Sequence, residues 1–270
     1  MGFLEHLNGA LRKNNNNNIS DSKMTNPNFG IGFNSFALKQ NELKQDTFTP
    51  ASAKQYVSDF QINENELALY QPVRFIRKYA NANTITNAIA KNPNIERILK
   101  ENGLTTNFNI ENLNSIIMSH LIPTSKTAQK MYCAMGHKTN EANFLYLTQA
   151  ALLHDIGKVF IPGDILNKKG KLTPRERSII ELHNQLSYEI LKTTDLNPKV
   201  AQLAFEHHDY DKKVTRSHEN QALTISDVFC ALKEDRPYKK PISELCAKAI
   251  LYDMGTKGSF DTRYINYLNA

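Results

Sequence analysis

Four apolar-periodic stretches of this chain open on a helix-capping residue directly before proline: Thr49-Pro50, Asn92-Pro93, Thr173-Pro174 and Asn197-Pro198. A side chain that accepts from the first free amides, followed by a ring that pre-sets φ for the first turn, is a helix start. Thr173 is reinforced by Glu176 three residues on, the spacing of a capping box. Beyond these starts the apolar residues recur at helical spacing, and no stretch alternates as a half-buried strand does. The fold class is therefore all-α.

The organisation follows from where the pattern begins. Residues 1–13 make a short amphipathic segment, with Phe3, Leu4, Leu7 and Leu11 on one side, and "NNNNN" at 14–18 breaks it. Residues 1–48 are read as a flexible, low-complexity N-terminal segment. Residues 49–110 form a smaller helical region, in which "NPNIERILKENG" closes on Gly103. Residues 111–270 carry the longer helices. One is expected over about 111–121, a second over 124–136 ending at Gly136, and a third over 140–155. Gly157 is expected to take a left-handed conformation just past the third.

Chemistry shows when the polar residues are placed on these helices. His154, His183, His207, His208 and Asp227 each lie on or beside the apolar face of their own helix, so they should point inward. A single inward histidine is ordinarily a core residue with a hydrogen-bond partner. Several imidazoles and carboxylates converging from different helices instead make a metal site, and the mixed N/O set suits Fe, Mn, Zn, Co or Ni rather than Ca. Asp155, beside His154, can bridge two cations with its two oxygens.

The formal charge of +6 is scattered, without an aromatic-interleaved basic stripe. That argues against nucleic-acid binding and suits a phosphate-bearing small ligand. No apolar run approaches the roughly 18 residues of a membrane span. The start is a poor signal peptide, and the three cysteines show no paired spacing, so a reduced, cytoplasmic setting is expected.

"LLHDIGK", "IPGDILNKKGKLTPRE", "ELHNQLSYEILK", "FEHHD" and "SDVFCALKEDRPYKKPIS" occur in this order. In them the chain resembles the HD superfamily of metal-dependent phosphohydrolases, and within it the HD-GYP branch of cyclic di-GMP phosphodiesterases. The resemblance implies an HD-domain helical bundle over 111–270. It implies a metal site of His154, Asp155, His183, His207, His208 and Asp227 for divalent transition metals, two of them, iron or manganese among the choices. It also implies that Lys158 faces the scissile phosphate of a nucleotide or cyclic dinucleotide. Arg236, in "DRPY", has two readings, a phosphate contact or a structural helix-end arginine.

The chain departs from that pattern in three places. Thr124 stands where the family has a ligand histidine. His120, one turn earlier, is a substitute if the helix runs on through Pro123. The GYP signature is missing, and Asp227 follows His208 by only 19 positions, which bears on substrate choice more than on metal binding. Cys230 replaces a second aspartate and reads as a small packed residue. Residues 70–105 are similar in rhythm to HDOD domains, which act as signalling modules. The rival function is therefore a signalling or scaffold protein that keeps the fold, with a protein partner engaged through residues 1–110.

Overall fold

The computed structural model describes residues 67–209, 216–235 and 240–269. The expected flexible segment, the Thr49-Pro50 start and Arg236 lie outside these described residues. Within them the chain is helical, with no strand. Four helices come first: α1 (Leu67–Tyr70), α2 (Pro72–Tyr79), α3 (Ala82–Lys91) and α4 (Pro93–Glu101). Then come α5 (Glu111–Asn114), α6 (Ile122–Ala134), α7 (Ala142–Leu153) and α8 (Gly163–Leu166). The last are α9 (Pro174–Leu191), α10 (Pro198–Glu206), α11 (His218–Lys233) and α12 (Glu244–Thr256). A 3₁₀ turn over Ile156–Phe160 follows α7, and another over Thr262–Asn269 follows α12. No helix among the described residues is long and apolar enough to cross a membrane.

The three capped starts inside this range form as their chemistry dictates. Asn92 Oδ1 accepts from Asn94 N at 3.2 Å, and Asn197 Oδ1 accepts from Lys199 N at 2.9 Å. At Thr173 both halves of the capping box close, Thr173 Oγ1 accepting from Glu176 N and Glu176 Oε2 accepting from Thr173 N.

α7 organises the rest. Phe144 and every residue from Leu147 to Leu153 are buried, so the second half of α7 is covered on all sides as a core helix is. Leu152 and Leu153 join one cluster with Phe75, Ile95, Leu99, Leu186 and Ile190. Leu147, Ala150 and Ala151 join a second with Met131, Leu223, Val228 and Ile250. Each such leucine contributes roughly 1.5–3 kcal/mol by leaving water. The helices before residue 110 thus share a core with α7 and α9.

Two expectations are corrected. The break expected between residues 121 and 124 does not occur. A π-helical turn over Ile117–Leu121 runs directly into α6, with Pro123 in the first turn of α6. Leu121 N donates to Ile116 O, a bond five residues long, and that wider turn gives the proline ring room. Gly157 is not left-handed. Positive φ among the glycines belongs to Gly103, Gly136 and Gly258. Gly157 instead lies against the backbone of α9, where an added Cβ would stand 2.3 Å from His183 O and 2.7 Å from Ser187 N. Crowding, not dihedral angle, requires glycine there.

Candidate metal centre

Five segments bring their ends or inner faces to one place. α7 delivers His154 and Asp155 where it stops. α9 delivers His183 from mid-helix, α10 His207 and His208 just past its C-terminal end, α11 Asp227, and the π turn His120. All are buried except His208, whose side chain keeps 13% of its surface exposed. The structure therefore brings together His120, His154, Asp155, His183, His207, His208 and Asp227. It also holds Lys158 at the rim, 17% exposed, with Nζ 2.6 Å from Asp155 Oδ2.

Backbone geometry sets the tautomers. His183 Nδ1 lies 2.6 Å from Ile180 O, His207 Nδ1 2.7 Å from Ala204 O, and His154 Nδ1 2.9 Å from Ala151 O. A carbonyl can only accept, so each Nδ1 carries a proton. In the neutral rings of His183 and His207 the proton is then absent from Nε2. Those two atoms face each other at 3.4 Å. Two lone pairs directed at one another in a buried site have no hydrogen bond to make. Beside them Asp155 Oδ1 also lacks a hydrogen-bond partner, as does His154 Nε2. Three sets of donors, His183–His207–His208, His120–His154–Asp227 and His154–Asp155–His207, each have their ligand atoms within 4.8 Å of one another. These residues fit divalent cations.

The electrostatics point the same way. Burial opposes charge on Asp155, but Lys158, His154 and His183 outweigh it and hold the carboxyl well below its usual range. Asp227 is held low against burial by His120, His154 and His208. Burial pushes His183 down to about 3 and His208 to about 4, and it pushes His207 well below its ordinary value. These rings are neutral at pH 7 and keep their lone pairs. His154 goes the other way. Burial lowers it, yet Asp155 and Asp227 overcome that and raise it to about 10. In metal-free protein its proton balances the two carboxylates.

A pH prediction follows for protein stripped of metal. An unfolded histidine titrates near 6.5. Below that value the unfolded chain takes up protons that folded His183, His207 and His208 refuse, so stability falls at about 1.4 kcal/mol per pH unit for each imidazole. Above it, folded His154 retains a proton that the unfolded chain releases, so stability falls again towards pH 10. Urea midpoints measured from pH 4.5 to 8.5 in chelator should peak near pH 6.5. A midpoint rising steadily through that range would contradict the assignments.

Neighbouring groups hold the site in shape. Ser187 Oγ donates to His154 O at 2.6 Å and accepts from Gly157 N at 2.9 Å, joining α7, the 3₁₀ turn and α9. Asn112 Nδ2 donates to Lys158 O and Ile161 O, fixing the turn that carries the lysine. Thr124 is buried beside the Cys230 thiol, which burial pushes up and the Thr127 and Thr124 hydroxyls partly restrain. Sequence reasoning missed Glu234. Its Oε2 stands 3.7 Å from His120 Nδ1, and its Oε1 accepts from Ser119 Oγ at 2.6 Å. It follows Asp227 by two helical turns on the same face, a signal that was available.

Residues 111–263 match the family model described as HD domain. Among curated proteins, the chain is 33% identical over 141 residues to the cyclic di-GMP phosphodiesterase response regulator RpfG of Xanthomonas campestris. That alignment covers 48% of this chain and 37% of the relative. It is 33% identical over 109 residues to the 3'3'-cGAMP-specific phosphodiesterase 3 of Vibrio cholerae, covering 37% of this chain and 24% of the relative. It is 35% identical over 104 residues to a cyclic di-GMP phosphodiesterase of Thermotoga maritima, covering 34% and 28%. The chain thus spans between 24% and 37% of the length of these relatives. The family match takes in every helix that brings a histidine or aspartate to the cluster, and on that ground the chain belongs to the HD domain superfamily.

Proposed function

We propose that the chain is a metal-dependent phosphodiesterase of bacterial signalling whose substrate is a cyclic dinucleotide, cyclic di-GMP first and 3'3'-cGAMP second. The observation that carries this reading is the pair of bare Nε2 atoms on His183 and His207, facing each other beside Asp155. Two divalent transition metals, iron or manganese, would be held by His154, Asp155, His183, His207, His208 and Asp227, with His120 in place of the missing histidine at Thr124. When bound, such cations polarise phosphate oxygens and lower the pKa of water.

The chain's own residues do the rest. Burial keeps three imidazoles neutral, so their nitrogens are available to a cation without first losing a proton. Asp155 and Asp227 supply fixed negative charge. Lys158 sits at the rim, within reach of both Asp155 and an entering phosphate. Its ammonium moves from the carboxylate to a phosphate oxygen and neutralises charge that gathers there during attack. Asn112 holds the backbone from which it reaches.

Protein prepared without chelator should carry transition metal, and with Mn²⁺ or Fe²⁺ it should hydrolyse cyclic di-GMP, read by chromatography of the products. Lys158→Met should keep its metal and lose about 10²–10³-fold in kcat. Failure to take up metal on reconstitution would sink the reading. Uptake of metal without hydrolysis of either dinucleotide or of bis-p-nitrophenyl phosphate would favour a signalling module over an enzyme.

A further inference from the structure

His120 differs from its neighbours in how its far nitrogen is satisfied. Its Nε2 lies inside the cluster, 2.9 Å from Asp227 Oδ1 and 3.5 Å from Asp155 Oδ2. Its Nδ1 is buried and makes no hydrogen bond. His154, His183 and His207 each rest Nδ1 on the carbonyl three residues back. His120 makes no such bond: the carbonyl three residues back, that of Ile117, accepts from Ile122 N in the π turn, and His120 Nδ1 does not reach it. What stands opposite Nδ1 is a carboxylate, Glu234 Oε2 at 3.7 Å.

Glu234 is oddly placed for a residue with only a structural task. It is buried, which penalises its charge, and it caps the C-terminal end of α11, where the helix dipole also disfavours an anion. Ser119 holds its other oxygen at 2.6 Å. Ser119 and His120 are consecutive residues of one turn, so hydroxyl and imidazole address the same carboxylate from the same side. A ligand imidazole whose Nε2 binds a cation must carry its proton on Nδ1, and a carboxylate there fixes the ring and strengthens the ligand.

We infer that Glu234 is a positioning residue for His120: it accepts a hydrogen bond from Nδ1–H when Nε2 turns to a cation, and Ser119 fixes the carboxylate for that purpose. The inference rests on the reading of His120 as a ligand. It makes His120, Ser119 and Glu234 one unit, which supplies the ligand that Thr124 does not.

The test is a cobalt(II) titration of the metal-stripped full chain, followed by visible absorption and by competition with a chelator. Wild type is compared with His120→Ala, Glu234→Gln and Ser119→Ala. Glu234→Gln should weaken at least one class of cobalt site by about 10–100-fold and change the d–d bands. The amide keeps the shape of the side chain and an oxygen for Ser119, so a metal-free melt checks that the fold is intact. Ser119→Ala should move affinity the same way by less. Wild-type affinity and spectrum in His120→Ala would overturn the ligand reading itself. Weakened cobalt binding in His120→Ala, with wild-type behaviour in Glu234→Gln, would overturn the inference alone. Should Glu234→Gln fail to fold, Ser119→Ala and Glu234→Asp decide, since both keep a carboxylate. Wild-type cobalt affinity and spectrum in both would overturn the inference, and weakening in both would support it.

Discussion

Gly157→Ala is expected to lower the melting temperature by roughly 6–12 °C and to weaken metal binding with it. The added Cβ would lie 2.3 Å from His183 O, 2.7 Å from Ser187 N and 2.9 Å from Leu186 Cβ. Two of these are backbone atoms of α9, so no side chain can swing away to relieve the contact. Overpacking costs typically 1–3 kcal/mol, and a clash with helix backbone belongs at about 3 kcal/mol or more. The strain moves the 3₁₀ turn and α9 apart, and with them His154 and His183. It also stretches both hydrogen bonds of Ser187, which hold that seam. Thermal melts with and without metal test this, with Gly170→Ala as the comparison. Nothing lies within 4 Å of a Cβ at Gly170, and that variant should melt as wild type does. If the two alanine variants melt alike, the contact at Gly157 is not what joins these elements.

Asp155→Asn should fold and yet lose metal affinity and lower turnover by about 10³-fold. The carboxylate meets Lys158 Nζ at 2.6 Å, His183 Nε2 at 3.2 Å, His154 Nε2 at 3.4 Å and His120 Nε2 at 3.5 Å. An amide keeps the shape but removes the charge around which all four are disposed. Linkage gives a readout independent of turnover. Metal at 100 times its Kd stabilises wild type by about 2.7 kcal/mol. If the variant binds about 100-fold more weakly, the same metal stabilises it by only about 0.4 kcal/mol. Equal stabilisation of the two proteins would place the metal elsewhere.

Much of this site could be read from residue order because each donor obeys a local rule. His154, His183, His207, His208 and Asp227 lie where the 3.6-residue period directs them inward, and they are buried or nearly so. The capped starts at Asn92, Thr173 and Asn197 are equally local and form as expected. Three features were not legible, each for a physical reason. Gly157 follows a helix, which suggests a left-handed cap, whereas its true constraint is the backbone of α9 about thirty residues away. Pro123 suggests a break, and only tertiary packing of His120 shows why the chain widens to a π turn instead. Glu234 lies on the Asp227 face, but a charge at a helix end ordinarily faces water. Its burial depends on Ser119 and His120, which arrive from a different part of the chain.

The π turn at Ile117–Leu121 also changes what kind of mutation can rewrite the site. A π turn accommodates one residue more than an α turn, and in an α-helix one residue corresponds to about 100° of rotation. Deleting a single residue here would leave every side chain of α6 in place. It would tighten the turn to α-helical register and swing position 120 off the cluster. Substitution erases a ligand, but a length change in this turn selects which side chain faces the cations. Insertions and deletions in this turn are therefore the changes to look for when two chains of this fold differ in their donor sets while keeping the same helices.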